Sequence, residues 1–139
     1  MNGDETDGCF ATCLYERIME IEPNDTTPTA RVNPALLPGR MYIGSIAAAG
    51  DQDRYRLELT TPVDLRIDFN NEDGLGTCGI TDASLAVYND NTVRVAYDKH
   101  GGPELCPLLE PDLSGWQRQA QPGTYFISVF EDERTDAIP

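Results

Sequence analysis

The side chains best equipped for chemistry in this chain are oxygen donors. The run Glu20-Ile21-Glu22-Pro23-Asn24-Asp25 offers three carboxylates and an amide within six residues, with no nitrogen or sulfur ligand among them. In an extended chain alternate residues face one side, so Glu20, Glu22 and Asn24 can point at one centre, with Asp25 following where the chain turns. A second acidic corner, Gly50-Asp51-Gln52-Asp53, stands just before Tyr55. Calcium takes roughly six to eight oxygen ligands from carboxylates, amides and backbone. If the two segments pack together, their carboxylates repel one another unless a divalent cation lies between them. On that condition Glu20, Glu22, Asn24, Asp25, Asp51 and Asp53 are the candidate metal set, with calcium as the candidate ion. The plain alternative is a set of solvated charges in a chain with 24 acidic residues.

Other reactive groups are sparse. Cys9 lies near Cys13, and Cys78 and Cys106 form a second group. An even number of cysteines without a neighbouring histidine favours disulfides in an oxidising compartment over zinc. Sequence order suggests Cys9–Cys13 and Cys78–Cys106, and four reduced thiols are the alternative. His100, the single histidine, sits in the turn-like Asp98-Lys99-His100-Gly101-Gly102 and reads as a surface loop residue. Ser45, Ser84, Ser114 and Ser128 lie in strand or turn contexts without a Gly-x-Ser-x-Gly elbow. Acids are so numerous that a pair at glycosidase spacing carries no weight, and no phosphate-cradling glycine loop is present. The chain is expected not to be an enzyme. Trp116 is a candidate platform for stacking a ligand, although a large aromatic just before a strand is more often a core or edge residue.

The elements that must position these residues are strands. Residues 19–39 carry Pro23, Pro28, Pro34 and Pro38-Gly39, which forbids a long helix and reads as an extended linker with at most a turn of helix around Thr29–Val32. From Arg40 the pattern becomes β, opening with Met41–Ile46. Tyr55, Leu57 and Leu59 alternate with Arg54, Arg56 and Glu58, and Leu65, Ile67 and Phe69 with Asp64, Arg66 and Asp68, as strands with one wet face should. Leu85 with Val87, Val93 with Val95, and Tyr125, Ile127 and Val129 mark three more. Asn, Asp, Gly and Pro turns separate them. Short alternating strands at such intervals indicate an all-β antiparallel sandwich or barrel.

The chain has 139 residues and a formal charge of -14. One core fits that length. The charge argues against nucleic acid and anionic membrane surfaces as partners, and no stretch approaches the ~20 apolar residues that span a bilayer.

Several segments together resemble the bacterial pre-peptidase C-terminal domain family, related to the collagen-binding domains of clostridial collagenases. They are Glu22-Pro23-Asn24-Asp25, Gly44-Ser45-Ile46, Gly50-Asp51-Gln52-Asp53-Arg54-Tyr55, Asp82-Ala83-Ser84-Leu85-Ala86-Val87-Tyr88 and Pro122-Gly123-Thr124-Tyr125-Phe126-Ile127-Ser128-Val129. In order, they cover about residues 19–130. The resemblance implies a jelly-roll-like sandwich beside a secreted enzyme, with calcium held by acids of the linker and of the sandwich edge. It implies nothing about collagen here, because no matching aromatic surface is evident. The family ends with one further strand, not evident here, so the expectation is either a truncated piece or a sheet completed by a neighbouring segment; a missing strand would leave an edge able to pair with another chain. The Cys78–Cys106 pair is not a general family feature.

Residues 2–13, ending in Asp7-Gly8-Cys9-Phe10-Ala11-Thr12-Cys13, resemble the tail of a myxobacterial cysteine-rich repeat. The expected organisation is a truncated repeat tail over 1–18 and a β-sandwich over 19–139, with its linker over 19–39, in a piece of a longer precursor. The expected function is a non-catalytic, secreted or cell-surface accessory module that stabilises or targets a neighbouring extracellular enzyme. An adhesive module binding a carbohydrate or protein polymer is the alternative. Partners are then a neighbouring domain or an extracellular polymer.

Overall fold

The computed structural model describes residues 17–45, 52–69, 83–99, 106–111 and 115–131. Asp51, His100, Cys9, Cys13 and Cys78 lie outside them, as does the chain after residue 131. Cys106 is disulfide-bonded and 2 % exposed; its partner is not among the described residues.

The fold is an antiparallel all-β sandwich. Its main sheet contains β3 (Gln52–Leu59), β5 (Ala83–Asn89), β6 (Arg94–Asp98) and β8 (Gly123–Glu131), in the order β3-β8-β5-β6. The register runs from Gln52 opposite Phe130 to Leu59 opposite Gly123, and from Ala83 opposite Glu131 to Asn89 opposite Tyr125. A bulge at Val87/Tyr88 breaks the β5–β6 pairing. Facing this sheet is a two-residue ladder of β4 (Ile67–Asp68) and β7 (Leu108–Leu109). Between them Leu57, Leu85, Val87, Leu109, Tyr125 and Ile127 form the core, with Leu59, Leu65, Ile67 and Trp116 packed against it. Leu57, Leu85, Val87, Tyr125 and Ile127 are alternating apolar positions of the sequence, on one face of the main sheet because successive side chains of a strand point opposite ways, whereas Leu109 comes from the facing ladder.

The other face of the main sheet is wet only in part, with Glu58, Arg94 and Tyr97 exposed on it. Phe126, Ser128, Ser84 and Ala86 are fully buried although each stands at an outward position. Part of the cover is α1 (Thr27–Val32), where sequence allowed a turn of helix. Thr26 and Thr29 close a reciprocal capping box and Pro28 occupies the first turn, where its missing N–H costs nothing. Ala30 is buried, and the Arg31 guanidinium lies 5.2 Å from the centre of the Phe126 ring while bonding Asp90 at 2.6 Å. Arg54 lies over Tyr88 and donates to Thr27 Oγ1 at 2.6 Å. The expectation of one solvent face fails around Phe126, where the linker folds back over the sheet, and holds at Glu58, Arg94 and Tyr97.

Two short strands escape the sequence pattern. β1 (Arg17–Met19) pairs in parallel with β2 (Met41–Ile43), aligning Met19 with Ile43. β1 and β7 are too short to show an alternation. The linker also bonds the outer edge of β3: Arg54 N donates to Asn24 O at 3.0 Å, and Leu36 N donates to Arg56 O at 2.7 Å. An edge that would otherwise invite pairing is thus occupied.

Two outcomes test this packing. Leu85→Ala removes a fully buried side chain from a central strand and should cost about 3 kcal/mol in urea unfolding, with unchanged slope. Asp64 accepts from the backbone and side-chain nitrogens of Gln119 at 2.8 and 3.0 Å. Those bonds, the backbone one first, hold its carboxyl below its ordinary value. Its contribution is therefore present above about pH 4 and fades as pH falls through the lowered folded value. Stability curves of wild type and Asp64→Asn should converge in acid.

Candidate metal centre

The linker and the start of β3 bring three carboxylates together. Glu20, Glu22 and Asp53 each place an oxygen so that all three lie within 4.8 Å of one another. Glu20 is half-buried, Glu22 exposed and Asp53 3 % exposed. Asn24 stands among them, 1 % exposed.

Each is held by backbone geometry. Glu20 directly follows β1, and its N–H donates to Ile43 O at 2.8 Å, which clips it to β2. Its two carboxylate oxygens accept separately: Oε1 from Ser45 N at 2.8 Å, Oε2 from the Tyr55 hydroxyl at 3.0 Å. Glu22 Oε2 accepts from Asn24 N at 2.9 Å, and the Glu22–Pro23 peptide bond is cis. Asn33, just past α1, donates to Ile21 O at 2.7 Å and Pro23 O at 3.3 Å, holding the acidic run from its far side. Asp53 is the core-facing residue before Tyr55 on β3, opposite Val129.

The Asn24 carboxamide is ringed by acceptors. One terminal position lies 3.3 Å from Glu20 Oε2; the other lies 2.6 Å from Glu22 Oε2 and 3.2 Å from Asp53 Oδ1. Unit charges about 5 Å apart repel by roughly 3 kcal/mol per pair at an effective dielectric of 20, less for pairs with exposed Glu22. Burial first, then the negative charges of Asp53 and Glu20, push the Tyr55 phenol far above its ordinary range, so it stays protonated and donates.

The convergence of Glu20, Glu22, Asn24 and Asp53 is the one expected from sequence. Asp25 is exposed and stands apart from the three carboxylates that meet. Asp51 lies outside the described residues. Trp116 is half-buried, its ring 4.7 Å from that of Tyr125, and its Nε1 is enclosed without a hydrogen-bond partner among the described residues. That is the placement of a core-edge aromatic.

Sequence reasoning missed the supports. Gly44 is one: a Cβ there would fall 2.7 Å from the Tyr55 hydroxyl and would also collide with Glu20 Oε2. Its bare backbone is what lets carboxylate and phenol meet. Tyr55 is the other, and its place two residues after Asp53, on the same face of β3, was the available signal. No family model matches this chain.

The donor set is oxygen only, partly buried and rich in charge, which suits a hard divalent cation such as calcium. Glu20, Glu22, Asp53 and the Asn24 carbonyl would hold it. Tyr55→Phe should cost about 1–3 kcal/mol of stability by removing a donor to a carboxylate. Gly44→Ala should loosen the same pair sterically and lower the melting temperature, as calorimetry would read.

Proposed function

We propose that this chain is a non-catalytic, calcium-stabilised β-sandwich module of the pre-peptidase C-terminal type, serving as an accessory domain of a secreted bacterial protein. The observation that carries this reading is the meeting of Glu20, Glu22 and Asn24, from the linker, with Asp53, from the sandwich. A cation shared by the two segments ties the lead-in to the domain. It offsets the mutual repulsion of the carboxylates and fixes the direction in which the chain enters the sheet. Beyond the acidic cluster, α1 and the edge bonds to β3 seat the linker without the ion. The ion's role is then to tighten an attachment already present.

An accessory role also fits the surface chemistry. The excess of acids keeps the module soluble and away from phosphate-rich partners. Among the described residues, no helix is long and apolar enough to cross a membrane. The pairing of Cys106 with Cys78 belongs to this proposal, as a covalent tie suited to an oxidising compartment.

Thermal melting in calcium and in chelator tests it. A ligand at a hundred times its dissociation constant stabilises the fold by about 2.7 kcal/mol. For a domain of this size that corresponds to a rise of several degrees, on the order of 5–10 °C. Asp53→Asn should abolish the rise. An identical midpoint with and without calcium would sink the proposal.

A further inference from the structure

Asn24 is held at both ends of its backbone: its N–H donates to Glu22 Oε2, and its carbonyl accepts from Arg54 N. The motion left to it is rotation of the carboxamide. With nitrogen toward Glu20, the amide makes one long bond of 3.3 Å. Its oxygen then faces Glu22 Oε2 and Asp53 Oδ1 with no proton between them. A half-turn about the Cβ–Cγ bond reverses this, and the nitrogen donates to Glu22 at 2.6 Å and Asp53 at 3.2 Å. Two bonds to carboxylates, one of them short, outweigh a single long one even though the oxygen now faces Glu20. Without a cation the half-turned orientation is preferred. With a cation among the same carboxylates, only the amide oxygen can ligate, because the NH₂ group presents hydrogens.

We propose that the Asn24 carboxamide is a two-position switch: its nitrogen bridges Glu22 and Asp53 in the cation-free protein, and its oxygen turns to them when a divalent cation binds. This rests on the cation reading above and extends it. The nitrogen stands in for the ion, so the linker stays docked without it. The ion in turn must displace two hydrogen bonds to enter, which weakens binding relative to a site whose oxygens are preset. Asn24 is thereby a positioning residue in one state and a ligand in the other.

The test uses the intact chain, with calcium chloride as probe. Side-chain amide resonances of Asn24 are followed by nitrogen-15 NMR, and binding is followed by calorimetry for wild type and Asn24→Asp. In chelator the Asn24 NH₂ protons should show exchange protection and through-bond coupling to the carboxylates of Glu22 and Asp53. Saturating calcium should abolish that coupling and move both protons. Asn24→Asp, which cannot donate and adds a fourth negative charge, should melt lower in chelator yet bind calcium roughly tenfold more tightly, since affinity follows ligand charge. If wild type binds calcium while the couplings persist unchanged, the switch is refuted and the site stands. If wild type binds no calcium, both fall. The NMR measurement on wild type decides the matter should the variant not fold.

Discussion

Three carboxylates gathered at the edge of a sandwich repel one another, and much of the lead-in is arranged around the groups that offset this. Ser45 and Tyr55 each donate to a different oxygen of Glu20. The Asn24 backbone N–H donates to Glu22, and its carboxamide lies between Glu22 and Asp53. These donors are neutral. Neutral dipoles reduce like-charge repulsion without cancelling it, which leaves the centre biased toward taking up a positive charge. A solvated acidic face needs none of this scaffolding, since its side chains simply spread into water.

The same segment solves a second problem, that of an open sheet edge. β3 ends the main sheet, and its outward groups would be unpaired without the linker. Asn24 and Leu36, on either side of α1, bond to Arg54 and Arg56. Those two arginines then reach back to Thr27 Oγ1 and Asn33 O, at 2.6 and 3.0 Å. The linker is therefore docked by polar contacts along its length, with the acidic cluster at one end. An ion bound there would add to an existing set of restraints, as the proposed stabilising role requires.

The cover over the outer face has a related logic. Phe126 sits at an outward position of a central strand, opposite Tyr88, and left uncovered it would expose a large apolar surface. Arg31 stacks on it from α1, combining an apolar stem with a charged head that reaches Asp90. A short, proline-bearing helix suffices, because its job is to place one arginine and one buried alanine rather than to supply a full apolar stripe.

The strands of the main sheet, the inward residues Leu57, Leu85, Val87, Tyr125 and Ile127, and the acidic centre's Glu20, Glu22 and Asn24 were all legible in the chain, since each depends on a period of two that local sequence carries. Asp53 was legible as a carboxylate at a corner, but its meeting with the linker depended on which surface the linker packs against. Gly44, Ser45 and Asn33 could not be read, because their roles are distances to residues 10 to 25 positions away. The exposure of Asp25 and the burial of Phe126 and Ser128 were likewise beyond it. Alternation says which residues share a face; it does not say what lies over that face. Local pattern thus determined the sheet and the donors, and tertiary packing alone decided which donors converge, because convergence is a property of two segments and periodicity is a property of one.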